Sequence, residues 1–388
     1  MKDRKIDKNV FMLGAVSLFT DISSQMIYPL LPVFLSSVLG VSIVFIGLLE
    51  GVAESTASIL KVFSGWYSDK LRKRKPIIFF GYSLSTIGKP FFYLATAGWH
   101  VLIIRFIDRV GKGIRTSPRD ALVADSSRPE ERGRAFGIQR SMDRMGAFLG
   151  PLVAFAILPL LNNNLRLLFL FSFFPALIAV FIIVFFVKEK LHAQDSSKRI
   201  EPFSLKYFSR DFKMFVFILA VFTLGNSSNV FLILRAKDLG VKIVFIPIIW
   251  LMYNFISSIL STPLGGLSDK IGRKKTTLLG FLVYGAVYLG FAFSNTQSLI
   301  WVFMGLYGVY YALSEGVLRA YVADLVEDKS VLATAYGVYH TVTGLCMFPA
   351  SLLMGILWQQ FNPTVAFGFG ASLALVSAIG LSLFVRKV

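Results

Sequence analysis

The sequence predicts an all-α membrane protein with twelve transmembrane helices in two pseudo-symmetric six-helix bundles. Three observations lead to this fold class: an apolar composition, apolar segments of bilayer length and an internal repeat. Of the 388 residues, 55% are hydrophobic and 15% are aromatic, and the mean hydropathy is +0.67. Soluble domains have a lower apolar content. The composition therefore indicates a chain that crosses the membrane many times.

The apolar segments have the length that a membrane-spanning helix needs. A bilayer core of about 30 Å requires about 20 residues at a helical rise of about 1.5 Å each. Measured in this way, the chain contains twelve spans. They are predicted over Val10–Ser36, Ile43–Tyr67, Pro76–Ala97, Val101–Ala124, Ala135–Leu161, Leu165–Val187, Phe212–Leu234, Ile243–Leu267, Thr276–Ser294, Leu299–Ala323, Leu332–Trp358 and Thr364–Val385.

The positive charge lies in alternate connections between these spans. The formal net charge is +18, and this alternation is the positive-inside pattern. The basic connections are the amino terminus, Lys70–Lys75, Arg128–Arg134, Lys188–Lys213, Lys270–Lys275 and Arg386–Lys387, and the loops near Gly40, Gly98, Asn295 and Asn362 have no Lys or Arg. The pattern predicts a multi-pass protein of the cytoplasmic (inner) membrane with both termini cytoplasmic, although Arg166 and Arg235–Lys242 depart from it.

The longest polar stretch lies between the sixth and seventh spans and divides the chain. It predicts an amino-terminal six-helix bundle over residues 1–187, a cytoplasmic linker over 188–210 and a carboxy-terminal six-helix bundle over 211–388. The halves also repeat in sequence. Gly65-Trp-Tyr-Ser-Asp-Lys-Leu-Arg-Lys-Arg-Lys75 returns as Gly265-Gly-Leu-Ser-Asp-Lys-Ile-Gly-Arg-Lys-Lys275, and Ala121-Leu-Val-Ala-Asp125 returns as Ala320-Tyr-Val-Ala-Asp324. Parallel six-helix repeats are a known transporter architecture, with the substrate site near the midplane between the halves.

Three motifs resemble those of the major facilitator superfamily. The repeated Gly-x-x-x-Asp-Lys stretches at Gly65 and Gly265 resemble its loop signature. Arg105-Phe-Ile-Asp-Arg-Val-Gly111 resembles its fourth-helix Arg-x-x-Gln-Gly-x-Gly motif, and Gly146-Ala-Phe-Leu-Gly150-Pro151 resembles the fifth-helix motif associated with antiporters. The resemblance implies the major facilitator fold and transport by alternating access.

The chain departs from the family's motifs at three places. Arg72 stands where the loop signature has Gly, and Arg109 stands where the fourth-helix motif has Gly. Ala154-Phe155 replaces the Gly-Gly with which the fifth-helix motif continues. The last departure weakens the link to antiporters.

The fourth span carries a charged stripe at a depth where unpaired charges are costly. Its members recur at helical spacing and share one face. They are Arg105, Asp108, Lys112, Arg115 and Arg119, with Arg109 beside them. Such a stripe faces a cavity or partner helices.

Acids and bases of five helices lie at one level. Counted from each helix start at about 1.5 Å per residue, they are roughly 10–20 Å deep. They are Asp21, Glu50, Glu54, Lys89, Asp108, Arg109, Lys112, Asp143 and Arg144. One interpretation is a transport site, and the other is a static lattice of ion pairs that holds the bundle together. Ionisable groups inside a membrane favour the first interpretation.

Four carboxylates of this level are the predicted proton-coupling residues: Asp21, Glu50, Glu54 and Asp143. Burial favours the neutral form of a carboxyl group, and a nearby Arg or Lys favours the charged form. Motion that makes or breaks such a pair can therefore drive proton uptake and release. Asp21 is the first choice because its sequence neighbours are neutral, whereas Asp143 adjoins an arginine and favours a structural ion pair.

The predicted substrate-binding residues combine a charged face of the first half with an aromatic face of the second. They are Tyr28, Lys89, Arg105, Asp108, Arg109, Lys112, Arg140, Arg144, Asn226, Tyr253, Tyr311, Tyr339 and His340. Packing or interfacial anchoring is the alternative role of each tyrosine. A charged half opposite an aromatic half suggests an amphipathic or anionic organic solute.

The repeated loop motifs are interpreted as gates. Gly65 and Gly265 allow close helix packing, and Asp69 and Asp269 can pair with arginines or with a helix amino terminus. Arg119 belongs to the same predicted gating set, at the cytoplasmic mouth of the charged stripe.

Other classes of function are not supported by the sequence. The basic clusters separate apolar spans, so no nucleic-acid partner is expected. Three histidines and one cysteine form no zinc or haem pattern, so we expect no metal or cofactor. Gly111-Lys-Gly113 lacks the spacing of a phosphate-binding loop, and no catalytic constellation indicates an enzyme.

We therefore expect a monomeric, proton-coupled secondary transporter of a small organic solute, with the solute, protons and the lipid bilayer as its partners. The partial fifth-helix motif favours export by antiport. Uptake of an anionic solute, such as a carboxylate metabolite or a metal chelate, is the main alternative, because bases outnumber acids in the first half. A lipid-moving membrane protein is a more remote one.

Overall fold

The computed structural model describes residues 7–71, 73–128, 131–190, 208–326 and 331–385. In these ranges every regular element is a helix, which confirms the predicted all-α class. The rest of the chain, with most of the predicted linker, lies outside the described residues.

Twelve helical segments follow one another in the order that the sequence predicts. In the first half they are α1 (Lys8–Val38), α2 (Ile43–Leu71), α3 (Lys75–Gly88 and Phe91–Leu94), α4 (Gly98–Asp125), α5 (Arg132–Leu160) and α6 (Leu165–Phe185). In the second half they are α7 (Arg210–Gly225 and Val230–Asp238), α8 (Ile246–Ile271), α9 (Arg273–Phe293), α10 (Gln297–Leu325), α11 (Leu332–Gln360) and α12 (Pro363–Phe384). The predicted twelve-helix fold is thus confirmed.

Nine of these segments, counted over the described ranges, are long and apolar enough to cross a membrane. The other three are α3, α4 and α10. A break at Lys89 and Pro90 shortens α3, because proline has no N–H with which to continue the helical ladder. The charged stripe lowers the hydropathy of α4. The chain is a multi-pass membrane protein in which two of these three segments, α3 and α4, pack against each other.

The chain forms two compact units. The first contains Met1–Phe34 and Thr56–Lys198, and the second contains Leu35–Ser55 and Arg199–Val388. The division runs through α2, whose first half groups with the second unit. There the Ser55 hydroxyl donates to the Gly344 carbonyl oxygen of α11 at 2.7 Å. The domains predicted from the sequence, residues 1–187 and 211–388, do not separate the two halves of α2.

An aliphatic cluster fills one end of the first unit and joins α1, α3, α4, α5 and α6. Its buried members are Val10, Leu13, Val16, Ile78, Tyr82, Leu122, Val123, Ala135, Ala179, Ile183 and Val187. Lipid tails are as apolar as these side chains, so moving the side chains out of lipid gives no hydrophobic stabilisation. Tight van der Waals packing holds the helices together instead.

The first residues of the predicted linker fasten α6 to the start of α3 and of α1. The Glu189 carboxylate accepts the backbone N–H groups of Arg74 and Lys75 at 3.1 and 2.9 Å. A carboxylate at a helix amino terminus satisfies free N–H groups and opposes the helix dipole. The Lys190 ammonium donates to Asp7 at 2.8 Å. Burial alone would raise the pKa of Asp7, but the Lys190 hydrogen bond, a backbone N–H and nearby lysine charges lower it.

The core of the second unit is aromatic. Phe222 of α7 stacks on Phe281 of α9 with ring centroids 4.0 Å apart, and Tyr284 stacks on Tyr288 at 4.1 Å. All four rings are buried. Aromatic stacking of this kind adds about 0.5–1.5 kcal/mol per pair beyond the area buried.

A third repeat relates the two halves of the sequence at the level of the backbone. Leu39-Gly-Val-Ser-Ile-Val-Phe-Ile46 recurs as Leu239-Gly-Val-Lys-Ile-Val-Phe-Ile246. Gly40 and Gly240 have φ angles of +63° and +86°, a region that glycine adopts at little cost. Each glycine lies in the connection that leads into α2 or α8, so the same turn precedes the second helix of each half.

One ion pair also recurs in both units. In the first, Arg74 Nε lies 2.6 Å from Asp125 Oδ2 and joins α3 to α4. In the second, Arg273 Nε lies 3.5 Å from Asp324 Oδ2 and joins α9 to α10. The paired positions differ by 199 residues, from 74 to 273 and from 125 to 324. This offset therefore defines which residues of the third and fourth helices are equivalent in the two halves.

The two pairs are expected to differ in their contribution to stability. Asp125→Asn should lower the free energy of unfolding by about 3 kcal/mol, because it removes the carboxylate from a nearly buried guanidinium. Asp324→Asn should cost less than about 1 kcal/mol, because the second pair is longer and its carboxylate is 45% exposed. Denaturant unfolding of the detergent-solubilised variants measures both. Equal costs would contradict this ranking.

Candidate functional site

The most extensive helix contact of the described chain joins α1 to α5. A Cβ atom on Gly146 would lie 2.5 Å from the Leu18 carbonyl oxygen and 2.9 Å from the Asp21 Cβ. One turn further along α5, a Cβ on Gly150 would lie 2.6 Å from the Gln25 Cβ. Only residues without a side chain allow this approach. The fifth-helix glycine motif therefore brings the backbone of α5 against α1 at the level of Asp21.

At this contact, two carboxyl groups meet. The Asp21 carboxyl group faces that of Asp143, and Lys112 and Arg119 of α4 face it as well. Arg119 Nη1 lies 4.0 Å and Arg140 Nη1 3.7 Å from the Asp143 carboxylate oxygens. Two ionised carboxylates at close range repel each other, so a pair of this kind is suited to holding one proton. The geometry brings two acids together among three cations.

Arg119 ties this pair to the surrounding helices. Its guanidinium donates to Asp120 Oδ1 at 2.8 and 3.0 Å and to the Ser17 hydroxyl of α1 at 3.1 Å. Gln139 of α5 donates to the same hydroxyl at 3.2 Å. Side chains of α4 and α5 thus both bond to Ser17 of α1. These bonds hold Arg119 beside the carboxyl pair.

A second charged group lies at the break in α3. The Lys89 side chain is 3% exposed, and its ammonium donates to the hydroxyls of Ser23 and Ser24 in α1, the latter at 3.4 Å. The Ser23 hydroxyl in turn donates to the Ser172 carbonyl oxygen. The Lys89 ammonium also faces the charged groups of Asp108, Arg115, Asp21 and Arg105. Lys89 therefore faces both Asp21 of the carboxyl pair and the Arg105–Arg115 part of the charged stripe of α4.

Three arginines of α4 are as buried as Lys89, at 5% exposure for Arg105 and 6% for Arg109 and Arg115. Arg105 Nη1 lies 3.8 Å from Asp108 Oδ2. Arg115 Nη1 donates to the Ser85 hydroxyl at 2.5 Å. Both guanidinium groups also lie over tyrosine rings, a contact that stabilises a cation where water is excluded. The rings are those of Tyr28, 5.6 Å from Arg105, and Tyr82, 4.4 Å from Arg115.

A small cavity opens among these residues. Its volume of about 20 Å³ is room for roughly one water molecule. It is lined by Ser24, Ile27, Ser85, Gly88, Lys89, Phe92, Ile104, Arg105 and Asp108. The lining is apolar on one side and carries two cations, one carboxylate and two hydroxyls on the other.

The corresponding region of the second unit contains tyrosines where the first has charges. A shift of 199 positions (74 to 273) relates the two regions. Ser85, Lys89, Asp108, Gly111 and Lys112 correspond to Tyr284, Tyr288, Tyr307, Tyr310 and Tyr311. The rings of four of these tyrosines are buried and contact one another. The space that a cavity and ion pairs occupy in the first unit is filled by phenol rings in the second.

These tyrosines bond to the break in α7. The Tyr307 hydroxyl donates a hydrogen bond to Asn229 Oδ1 at 2.6 Å, and the Asn226 side-chain amide donates one to the Tyr310 hydroxyl at 3.2 Å. Between the two asparagines, the Ser228 hydroxyl donates to Glu50 Oε2 at 3.4 Å. Polar side chains of neighbouring helices thus bond to the polar side chains at the break, where burial in a membrane requires partners.

The structure brings some of the predicted site residues together and separates others. In the first unit, Asp21 and Asp143 form one cluster with Lys112, Arg119 and Arg140, and a second cluster surrounds Lys89. The members of the second cluster are Tyr28, Lys89, Arg105, Asp108 and Arg109. Arg144 of α5 is exposed.

Glu50 and Glu54 fall in the second unit, so the division of the chain does not group them with Asp21. In that unit Asn226, Tyr253 and Tyr311 belong to the aromatic core, and Tyr253 lies 5.5 Å from the Tyr311 ring. Tyr339 contacts the exposed His340 ring at 4.9 Å.

Among the predicted gating residues, Asp269 pairs with Arg273 of its own unit. A Cβ on Gly65 would lie 3.4 Å from the Ser117 Cβ, whereas one on Gly265 would meet nothing within 4 Å. The Asp69 side chain lies outside the described part of the chain. Among the residues that the structure describes, a close neighbour is therefore visible at the first loop glycine and none is visible at the second.

Several residues of the site carry no signal in the sequence. Ser17, Ser23, Ser24 and Ser85 bond to the buried cations, yet single serines in apolar helices have no distinctive spacing. The ion pairs of Arg74 and Arg273 could have been found, because their partners Asp125 and Asp324 end the repeated Val-Ala-Asp motif.

Comparisons with known proteins agree with this architecture. The family model for the Major Facilitator Superfamily matches residues 13–234 and 214–388. An uncharacterized MFS-type transporter of Methanocaldococcus jannaschii is 39% identical over 389 residues, covering 99% of this chain and 96% of that protein. The multidrug resistance protein MdtH of Photorhabdus laumondii is 31% identical over 127 residues, 33% of this chain and 31% of that protein. A crystal structure of the nucleoside transporter NupG superposes with a TM-score of 0.80 at 14% identity, over 97% of this chain and 100% of that chain.

The close approach of α1 and α5 can be tested by adding one methyl group. Gly146→Ala should lower the free energy of unfolding by about 1–3 kcal/mol, because its Cβ overlaps the Leu18 carbonyl oxygen and forces the helices apart. Thermal unfolding in detergent measures the loss.

Gly137→Ala is the matched control on the same helix. A Cβ there meets nothing within 4 Å, and alanine favours a helix over glycine by up to about 1 kcal/mol. We expect this variant to be as stable as the parent or more so. If Gly146→Ala is as stable as the parent, the contact between α1 and α5 has room for a methyl group and the prediction is wrong.

Proposed function

Because the chain belongs to the major facilitator superfamily and is a secondary transporter, we propose that protons drive its transport through the Asp21–Asp143 pair. The observation that carries this proposal is that the Asp21 carboxyl group faces that of Asp143, at the contact where Gly146 lets α5 approach the backbone of α1. The Arg119 and Arg140 guanidinium groups lie within 4.0 Å of Asp143. A proton held in common by two acids is available for transfer with little rearrangement.

The surrounding cations provide a way to couple the proton to a change of conformation. With one shared proton the pair has a single negative charge, which one cation can balance. Loss of the proton creates a second charge that requires Lys112 as well as Arg119. Conversely, any motion that withdraws one of these cations from the pair favours proton uptake. Lys112 and Arg119 both lie on α4, so a shift of this helix relative to α1 and α5 would change the protonation of the pair.

Export of an organic solute in exchange for protons is the direction that we favour. Two observations support it: the Gly146-x-x-x-Gly150-Pro151 motif, and the similarity of one third of the chain to a multidrug resistance protein. In this proposal the protein acts as a monomer in the cytoplasmic membrane with both termini cytoplasmic, as the basic connections suggest. Gly65, Asp69, Arg119, Gly265 and Asp269 would gate the alternating access.

Uptake of an anionic solute is the second candidate. It is favoured by the four buried cations Lys89, Arg105, Arg109 and Arg115. Proteoliposomes with an imposed pH gradient, tested against cationic drugs, organic anions and chelates, distinguish the two candidates. Accumulation or counterflow of anions alone would contradict drug export.

Replacing either acid of the pair should uncouple transport from the proton gradient. With a solute from this panel, Asp21→Asn and Asp143→Asn should each abolish gradient-driven transport and leave solute exchange at equal pH intact, because the amide cannot take up or release a proton. Internal pH dyes and labelled solute report the two activities.

Asp7→Asn serves as the control, since Asp7 bonds to Lys190 outside the membrane-spanning segments. This variant should keep full coupling. If Asp21→Asn transports protons with the solute as the parent does, the pair is structural and the proposal is wrong.

A further inference from the structure

A charged pair in α10 has no part in the proton coupling proposed above. The Arg319 guanidinium donates to the Glu315 carboxylate, with Nη2 2.6 Å from Oε1, and its Nε–H donates to the Glu315 carbonyl oxygen at 3.2 Å. The Glu315 side chain is 33% exposed and that of Arg319 is 38% exposed. Among the residues that the structure describes, no hydrogen bond or ion pair reaches the second carboxylate oxygen, Oε2. One side of the carboxylate is therefore open to a further partner.

The open side of Glu315 lies away from the apolar surface of α10. The large apolar side chains that this helix exposes are those of Leu299, Val302 and Leu306. Leu306 and Glu315 are nine residues apart, and at about 100° per residue they lie on opposite faces of the helix. A charged group that faces lipid is costly. The exposed part of Glu315 is therefore expected to meet water or a bound molecule rather than lipid tails.

Two tyrosines border the carboxylate. Tyr311 lies one turn before Glu315 in α10, and Tyr339 belongs to α11. Both phenol groups face the charges of Glu315 and Arg319. The Tyr311 ring also contacts that of Tyr253 in α8, with centroids 5.5 Å apart. The face of an aromatic ring is partly negative and attracts cations, so a carboxylate bordered by such rings is suited to an organic cation.

Helix stability alone does not account for the charged pair. A partly exposed Glu–Arg pair four residues apart contributes little to the stability of a helix. At the equivalent positions of α4, which lie 199 residues earlier, the first unit has Thr116 and Asp120. A helix at this place in the fold therefore does not require a carboxylate at the position of Glu315. Ionisable groups inside membrane-spanning helices are by default candidates for a role in function.

We propose that Glu315 binds the cationic group of the transported solute and that Arg319 competes with this cation for the carboxylate. An ammonium group would bind at Oε2 and displace the guanidinium as it balances the charge of Glu315. Arg319 lies six residues before the end of α10 at Leu325, about 9 Å along the helix. Its long side chain can therefore turn toward the helix end and keep its charge in water.

The same geometry disfavours an anion at this place. An anion bound to Arg319 would have to replace Glu315, and the shorter Glu315 side chain cannot turn toward the helix end in the same way. The negative faces of the tyrosine rings would also repel an anion.

This inference rests on the proposed transport of an organic solute and narrows its substrate to solutes with a cationic group. It assigns different tasks to two sets of carboxylates. The Asp21–Asp143 pair exchanges protons, and Glu315 recognises the solute. The rings of Tyr311 and Tyr339 would contact the apolar part of the solute next to its ammonium group.

Equilibrium dialysis of the purified full chain in detergent tests the proposal without a proton gradient. Three probes of similar size differ in charge: the cation phenethylammonium, the neutral 2-phenylethanol and the anion 3-phenylpropionate. Micelles without protein are the blank. We expect only the cation to bind. Glu315→Gln should weaken its binding at least about tenfold, the loss typical of a hydrogen bond to a charged group.

The variant Arg319→Gln separates a binding site from a structural ion pair. Removal of the competing guanidinium should strengthen cation binding about two- to fivefold, the factor that corresponds to an exposed ion pair. Loss of a merely structural partner would weaken binding instead. Tyr339→Leu should weaken binding by a similar factor because it removes a ring face, whereas Tyr339→Phe keeps the ring and should not. These variants keep the test decisive if Glu315→Gln fails to fold.

Asp238→Asn is the matched control, because this carboxylate is exposed at the end of α7 and should leave cation binding unchanged. Phosphatidylethanolamine added to the micelles should not displace the probe. Displacement would assign the site to a lipid ammonium group and contradict a solute site.

Cation binding that Arg319→Gln weakens, or that Glu315→Gln leaves unaltered, would overturn the proposal. Binding of 3-phenylpropionate in place of the cation would also overturn it, as would the absence of any cation binding. The proposed function is tested separately by the proton coupling of Asp21→Asn. Absent cation binding with coupling that depends on Asp21 would refute this inference alone. Cation binding at Glu315 with coupling that Asp21→Asn leaves unchanged would refute the proposed function alone.

Discussion

The close contact between α1 and α5 is the constraint on which the candidate site depends. Gly146 and Gly150 leave no room for side chains against the α1 backbone, and the Asp21 carboxyl group is thereby held against that of Asp143. If the helices separated by the width of one methyl group, the two acids would become independent carboxylates, each facing its own cation. The proposed sharing of a proton therefore depends on packing as much as on charge, and in this proposal a small displacement of one helix would release the proton.

The two units share one arrangement of helices but have different side chains at equivalent positions. Corresponding ion pairs, Arg74–Asp125 and Arg273–Asp324, fix the same register between the third and fourth helices. Within that register, the first unit places Lys89 and Asp108 where the second places Tyr288 and Tyr307. Charges that must be paired or solvated leave a cavity, whereas phenol rings fill the space and bond to the broken helix α7. The first unit therefore has charged side chains where the second has a buried aromatic core.

Much of the fold could be predicted from the sequence, because hydropathy, charge alternation and the repeat at Gly65 and Gly265 all depend on local composition. The stripe on α4 could be predicted for the same reason, since its spacing alone puts Arg105 and Asp108 on one face. Which charges meet could not be predicted in full. The contact of Asp21 with Asp143 depends on how two helices pack, and the grouping of Glu50 with Ser228 depends on α2 dividing between the units. Depth counting places all these groups at one level and carries no information on their direction around each helix axis.

The central claim is that Asp21 and Asp143 share one proton, and infrared difference spectroscopy of the protein in nanodiscs tests it most directly. The account predicts a protonated-carboxyl band at neutral pH that disappears in Asp21→Asn and equally in Asp143→Asn, because either change removes the partner that holds the proton in place. A band that persists unchanged in one of the two variants would assign the proton to a single acid. The absence of such a band in the parent protein would contradict the shared proton altogether.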